Sequence, residues 1–318
     1  MNRPDVIKNR PPGLIAEFRG AKPPAPDWFE SAIAHQPERA FVKAAGTDIE
    51  TLAWGERGKP GLLFLHGNGA NAHWWSHIAP MFAPDFRVTA FSMAGMGNSQ
   101  WRAAYRYDEF VDDALAVIDA TGLRDAPLGP VVIGHSFGSF ISSGIAARAE
   151  ARLRAAIYLD GPWTDSFYQQ VRANYVVRPR NIYPSIEDAL MRFRFIPEQD
   201  CDNPFIIDWI ARTALARVTG EDGKEGWSWS ADPSFWKIFE GGSPKANFKK
   251  RNYPVAFIDA ARGRYAMENA ARHWLPDLQP NAPIITIPNS HHHIMADEPL
   301  ALMAALTSLF AAWPPLVA

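Results

Sequence analysis

The chain has 318 residues, 47% hydrophobic and 21% charged, the proportions of a globular protein with one large core and room for an insertion. Its net charge of −2 sets up no field that would draw nucleic acid or an anionic membrane, and a lone cysteine, Cys201, excludes an intrachain disulfide and a cysteine-rich metal site. No run is long and apolar enough to span a bilayer, and Met1 to Lys8 lacks the apolar core of a signal peptide, so the cytoplasm is the expected location.

Residues 1–37 are rich in proline and read as an N-terminal arm lying on the surface, with a short helix from Asp27 to His35. Strands follow at Phe41–Ala45 and Asp48–Trp54 around Gly46. Gly61–Leu65 is a continuous apolar strand, as expected where both faces are covered. Trp74–Phe82 reads as a helix, Arg87–Phe91 as a strand, and Phe110–Thr121 as an amphipathic helix stopped by Gly122. Val131–Ile133 and Ala155–Leu159 are two further strands, with a helix beginning near Phe140 between them. Residues 38–162 thus form the first part of an α/β core.

The alternation stops at Trp163, and residues 163–250 read as helices. Ser185 with Asp188 can cap one, and Asn203-Pro204 and Asp232-Pro233 each place a cap and a first-turn proline before another. Tryptophans and phenylalanines crowd this stretch. Inserted after the sixth strand, it would lie as a lid over the carboxyl ends of the strands. The strand pattern resumes with Val255–Ile258 and Pro283–Ile287, and a last helix runs from Pro299 to Ala312, so residues 251–318 complete the core. Strands alternating with helices predict a mostly parallel eight-stranded sheet flanked by helices.

Three stretches can carry chemistry. Gly134-His135-Ser136-Phe137-Gly138 is a Gly-x-Ser-x-Gly pattern between an apolar strand and a helix, where a serine oxygen is exposed on a sharp turn and the N–H of Phe137 points into the same space. His66-Gly67-Asn68-Gly69 directly follows an apolar strand. It is either a plain tight turn or a loop whose Asn68 N–H joins that of Phe137 in an oxyanion hole. His291-His292-His293 stands after the last strand, where a base serving the serine would have to be. The trio could instead be a metal cluster or an exposed loop, but no carboxylate or cysteine spacing supports a metal. His73 and His77 have helical metal spacing, for which a helix surface or core contact is the favoured use.

These stretches, with Ala94-Gly95-Met96-Gly97-Asn98-Ser99 and Ser290-His291-His292-His293-Ile294-Met295-Ala296-Asp297-Glu298-Pro299, resemble the α/β-hydrolase superfamily, specifically its lidded serine hydrolases, from about Phe41 to the C-terminus. The resemblance implies Ser136 as nucleophile. It implies His292 as base, in a His-x-x-x-x-Asp-x-Pro ending, with His291 and His293 as alternatives. It tells against dehalogenases and epoxide hydrolases, which carry an aspartate at the position of Ser136. Ser92 stands where the family often has an aspartate. The usual acid position, after the seventh strand, holds Arg262 or Gly263, so the acid is expected at Asp160, after the sixth, in preference to Asp259 or Glu268. The implied reaction is acyl transfer without a cofactor on a small-molecule ester or lactone with an apolar or aromatic body. His66, Trp75, Trp163, Trp227, Trp229 and Trp236 are expected to line its pocket. An amidase, a carbon–carbon bond hydrolase or a hydroxynitrile lyase would use the same triad. A ligand receptor on this fold is the alternative of another class.

Overall fold

Eight strands of the computed structural model, which describes residues 12–161, 165–220, 223–243, 246–247, 253–263 and 282–313, form one sheet. They are β1 (Glu38–Ala44), β2 (Thr47–Trp54), β3 (Gly61–Leu65), β4 (Arg87–Phe91), β5 (Val131–His135), β6 (Ala155–Leu159), β7 (Val255–Ala260) and β8 (Ile284–Ile287). Their order across the sheet is β1-β2-β4-β3-β5-β6-β7-β8. The β1–β2 and β2–β4 pairs are antiparallel and the others parallel. Every residue of β3, β4, β5 and β6 is buried, which is why β3 and β6 read as near-continuous apolar runs.

The register brings strand ends to one level. Leu65 pairs with Gly134, His135 with Leu159, and Leu159 with Ile258. The loops leaving β3, β5, β6 and β7 therefore start side by side, at the carboxyl edge of the sheet where ligands bind in such folds.

Among the described residues, the helices of this larger unit include α1 (Asp27–Ala34), α2 (Ala79–Phe82), α3 (Tyr107–Ala120), α4 (Phe137–Ala147), α5 (Asp165–Asn174), α8 (Phe235–Ile238), α9 (Ile294–Asp297) and α10 (Pro299–Ala312). The helix predicted over Trp74–Phe82 is broken into a 3-10 turn, Ala72–Trp75, and the short α2. Pro80 explains the break, because it has no N–H to bond backward and its ring disfavours a helical residue before it. Phe110 and Val111 of α3 and Phe137, Phe140 and Ile141 of α4 share a core with Leu63 and Leu65 of β3.

The chain divides into two compact units, one of Met1–Ala25 with Arg180–Trp229 and one of Pro26–Pro179 with Ser230–Ala318. This differs from the expected arm (1–37) and lid (163–250). In the smaller unit Gly13 N–H donates to Met191 O at 3.0 Å and Leu14 N–H to Phe193 O at 3.2 Å, while Arg212 Nη2 donates to Gly20 O at 2.6 Å. Residues 13–20 of the arm are thus tied into the smaller unit through their own backbone, while α1 belongs to the larger unit.

The all-helical expectation for 163–250 also fails in one place. Besides α6 (Ile186–Leu190), which Ser185 caps by accepting the Asp188 N–H, and α7 (Pro204–Thr213), the smaller unit holds an antiparallel hairpin. In Leu215–Thr219 the later positions alternate exposed with partly buried, in Glu225–Trp229 the buried Gly226 and Ser228 alternate with the partly buried Trp227 and Trp229, and the two strands flank a glycine-containing turn. Branched and aromatic residues in a two-residue period favour pairing over helix.

Candidate active site

After β5 the chain turns at Ser136 into α4. Ser136 has φ 53°, in the region that residues with a side chain rarely adopt. Its two flanking glycines make the turn possible. A Cβ on Gly134 would lie 2.4 Å from Gly138 O, and one on Gly138 would lie 2.6 Å from both Leu65 O and His66 O. The turn is tied to β6 as well: Ser136 N–H donates to Leu159 O at 3.0 Å, and Ser139 Oγ donates to Gly134 O at 2.5 Å while accepting Leu159 N–H at 3.2 Å. Strain of this kind persists only where the surroundings over-determine it.

His292 lies between β8 and α9. Its Nε2 is 2.9 Å from Ser136 Oγ, and its Nδ1 is 2.6 Å from Asp160 Oδ2. Asp160 leaves β6 with φ 37°, donates its N–H to Ile258 O at 2.9 Å and accepts Ala260 N–H on Oδ1 at 3.4 Å. Gly263 closes over the carboxylate, and a Cβ there would come 2.8 Å from Oδ1 and 2.9 Å from Oδ2. Both His292 and Asp160 are buried, whereas Ser136 is partly exposed. Asp259 stays on β7, in register with Thr286, and Glu268 lies outside the described residues.

The neighbouring histidines are placed differently. His291 faces Asp297, whose Oδ2 accepts its backbone N–H at 2.7 Å and lies 3.1 Å from its Nδ1. His293 is buried edge-on to Trp74, with ring centroids 5.1 Å apart.

The loop after β3 passes directly beside the serine. A Cβ on Gly67 would be 3.2 Å from Ser136 Cβ, and Gly69, at φ 74°, turns the chain just after Asn68. Phe137 N–H is the first of α4, where no carbonyl of its own helix can accept it.

The alpha/beta hydrolase family profile matches residues 62–306. The chain belongs to the alpha/beta hydrolase family. Among curated relatives it is 29% identical to epoxide hydrolase 4 of Mus musculus over 41% of this chain and 36% of that one, and 30% identical to lipase LipV of Mycobacterium tuberculosis over 36% and 41%. It thus spans about a third to a half of the curated relatives it matches. The crystal structure of E-2-(acetamidomethylene)succinate hydrolase superposes with a TM-score of 0.70 at 18% identity, covering 86% of this chain and 99% of that one, a likeness of fold.

Two pocket expectations for this family member are corrected. His66 is buried with both ring nitrogens engaged by backbone: Nδ1 lies 2.7 Å from Gly67 O, and Nε2 accepts Met93 N–H at 2.9 Å. Trp75 is buried against Phe64, ring centroids 4.9 Å apart, behind β3. Each is core, because its surroundings leave it no open side. Trp163 lies outside the described residues. Trp227 and Trp229 belong to the smaller unit, where Trp227 exchanges backbone bonds of 2.8 Å with Tyr183 and Trp229 packs on Phe193. Trp236 stands beside the elbow, edge-on to Phe137 with centroids 5.5 Å apart.

Glu50, which no sequence pattern singled out, supplies a carboxylate next to Ser92. Ser92 Oγ donates to its Oε2 at 2.8 Å and accepts Ala72 N–H at 3.1 Å, while Asn98 Nδ2 donates to Oε1 at 2.8 Å. Burial opposes its ionisation, yet the Ser92 hydroxyl, His73 and the Asn98 N–H groups together hold it below the usual carboxylate range. The acid often found at the end of β4 is here replaced by a serine and a carboxylate from the adjoining strand.

Burial also keeps three histidines neutral. It holds His66 and His77 at about 4 and pushes His135 well below its ordinary value. His135, His292 and His293 each offer a ring nitrogen, all within 4.8 Å of one another. Both nitrogens of His292 face Ser136 and Asp160, so a metal could collect all three only by breaking one of those two contacts.

Proposed function

We propose that the protein is a serine hydrolase that cleaves a small carboxylic ester or lactone through an acyl-enzyme. The observation that carries this reading is one imidazole with Ser136 Oγ at 2.9 Å and Asp160 Oδ2 at 2.6 Å on its two nitrogens. In this mechanism Asp160 accepts Nδ1–H, which leaves the Nε2 lone pair aimed at the serine hydroxyl. His292 takes that proton as Oγ attacks the carbonyl carbon, and the N–H groups of Asn68 and Phe137 hold the oxyanion. His292 then protonates the departing alcohol and later activates the water that frees the acid. The elbow has a serine hydroxyl where the epoxide hydrolases of this family use an aspartate carboxylate, which favours acyl transfer over epoxide opening. Phe137, Trp236 and Phe239, all buried, pack together beside the elbow and make its surroundings apolar, in keeping with an apolar or aromatic acyl or alcohol part. Mechanism-based labelling with a fluorophosphonate tests the reading. Wild type should label at Ser136 and hydrolyse members of an ester and lactone panel, and Ser136→Ala should do neither. A wild-type protein that resists the probe would favour a ligand receptor instead.

A further inference from the structure

His135, the residue immediately before the serine, has a ring with a defined task. It ends β5, is fully buried, and its Nε2 lies 2.8 Å from the backbone carbonyl oxygen of His292. A carbonyl only accepts, so Nε2 carries the proton and the ring donates. Its other nitrogen, Nδ1, has no hydrogen-bond partner among the described residues and abuts Gly67, where a Cβ would come within 3.1 Å. The ring also packs on that of His292, centroids 4.7 Å apart.

The geometry points to His135 as a positioning residue that fixes His292 relative to Ser136 by donating Nε2–H to the His292 carbonyl. This inference rests on the serine-hydrolase reading and adds to it a residue that reacts with nothing. The physical reason is a short closed circuit. From Ser136 Oγ the path runs through one peptide bond to His135, through its ring to His292 O, across one Cα to the His292 ring, and back to Oγ at 2.9 Å. A second short link runs from Ser136 N–H to Leu159 O and through Asp160 to His292 Nδ1, but it holds the ring and not the peptide of His292. A shift of His292 by about 1 Å away from an attack geometry costs roughly 10²-fold in rate. His292 follows the strand β8 and precedes the four-residue helix α9, so no regular ladder holds its own peptide.

A core-filling role for His135 demands only volume, while a positioning role demands a donor at Nε2. The side-chain amide of glutamine can place its nitrogen near Nε2, whereas that of asparagine reaches only to Nδ1. The test compares His135→Gln, His135→Asn and His135→Phe in steady-state turnover, fluorophosphonate labelling rate and thermal melting. Under the positioning role, the Gln variant stays within about tenfold of wild type in kcat, while the Phe and Asn variants lose about 10²-fold in kcat and in labelling rate with KM little changed. Wild-type kcat in the Phe variant overturns the inference. So does a Gln variant as slow as the Phe variant. If the Phe variant does not fold, the Asn variant carries the same comparison, and wild-type kcat there overturns it too. Failure of the underlying reading is separate, because it would show as wild-type protein that does not label.

Discussion

Changing Asp160 to asparagine removes one charge and keeps the shape. The carboxylate is buried, 2.6 Å from Nδ1 of a buried imidazole, and little water can take its place. Two losses follow. The amide nitrogen can donate to Nδ1, which turns His292 into the tautomer whose Nε2 carries a proton and cannot accept one from Ser136. The imidazolium formed during attack also loses its counter-charge in a region of low polarity. In serine proteases the matching change costs about 10⁴ in kcat. The same order, about 5.5 kcal/mol at 1.36 kcal/mol per decade, is expected for Asp160→Asn. The assay is kcat for an ester between pH 6 and pH 9, with Asp259→Asn and Glu268→Gln measured alongside, and with melting curves to show that the fold is kept. An Asp160→Asn enzyme within tenfold of wild type, together with a large loss in either of the others, would refute the assignment.

Gly263→Ala places a methyl group within 2.9 Å of both carboxylate oxygens of Asp160, so we expect a marked loss of kcat without a matching rise in KM; unchanged kcat would mean that the loop yields instead. Acid should weaken the fold: His66 and His77, held at about 4 against an unfolded value near 6.5, contribute stability that is full above pH 6.5 and lost toward pH 4, about 3 kcal/mol each at most, while Asp113, pushed up to about 6 by burial, runs the other way between about pH 4 and 6. Urea unfolding at pH 7 and pH 5 should therefore show a smaller acid-induced drop in His77→Gln than in wild type, and equal drops would contradict a neutral buried His77.

The sheet was legible because its central strands are short, mostly apolar runs rich in branched side chains and bounded by turn residues. Gly61–Leu65, Arg87–Phe91 and Ala155–Leu159 have the same bounds in sequence and structure, and α10 spans Pro299–Ala312 as expected. The hairpin Leu215–Thr219 with Glu225–Trp229 was hidden because its alternation spans only five residues a side and carries Arg217 and Glu225 among the apolar ones. His66 and Trp75 looked like pocket residues because they flank the loop after β3. Burial decides their role, and burial depends on what packs against them. Glu50 and His135 left no signal at all. Each makes its contacts with residues distant in sequence, Ser92 and Asn98 in the first case and His292 in the second.

The choice among acids turns on register, which no single stretch of sequence states. His135 pairs with Leu159, so Ser136 and Asp160 are the next residues on two adjacent parallel strands. Both take positive φ, 53° and 37°, and both give their N–H to the neighbouring strand, Ser136 to Leu159 O and Asp160 to Ile258 O. Two strained turns at one sheet edge throw a hydroxyl and a carboxylate toward the same side, and His292, arriving from beyond β8, meets both. Asp259 is one strand further and remains in the β7–β8 ladder opposite Thr286, with its direction set by the pleat. An acid on β6 needs a different supporting loop from one on β7, and here the 260–263 loop provides it. Its Ala260 N–H reaches the Asp160 carboxylate, and Gly263 leaves that carboxylate room. In the proposed triad, the position that usually carries the acid would thus serve as the wall behind it.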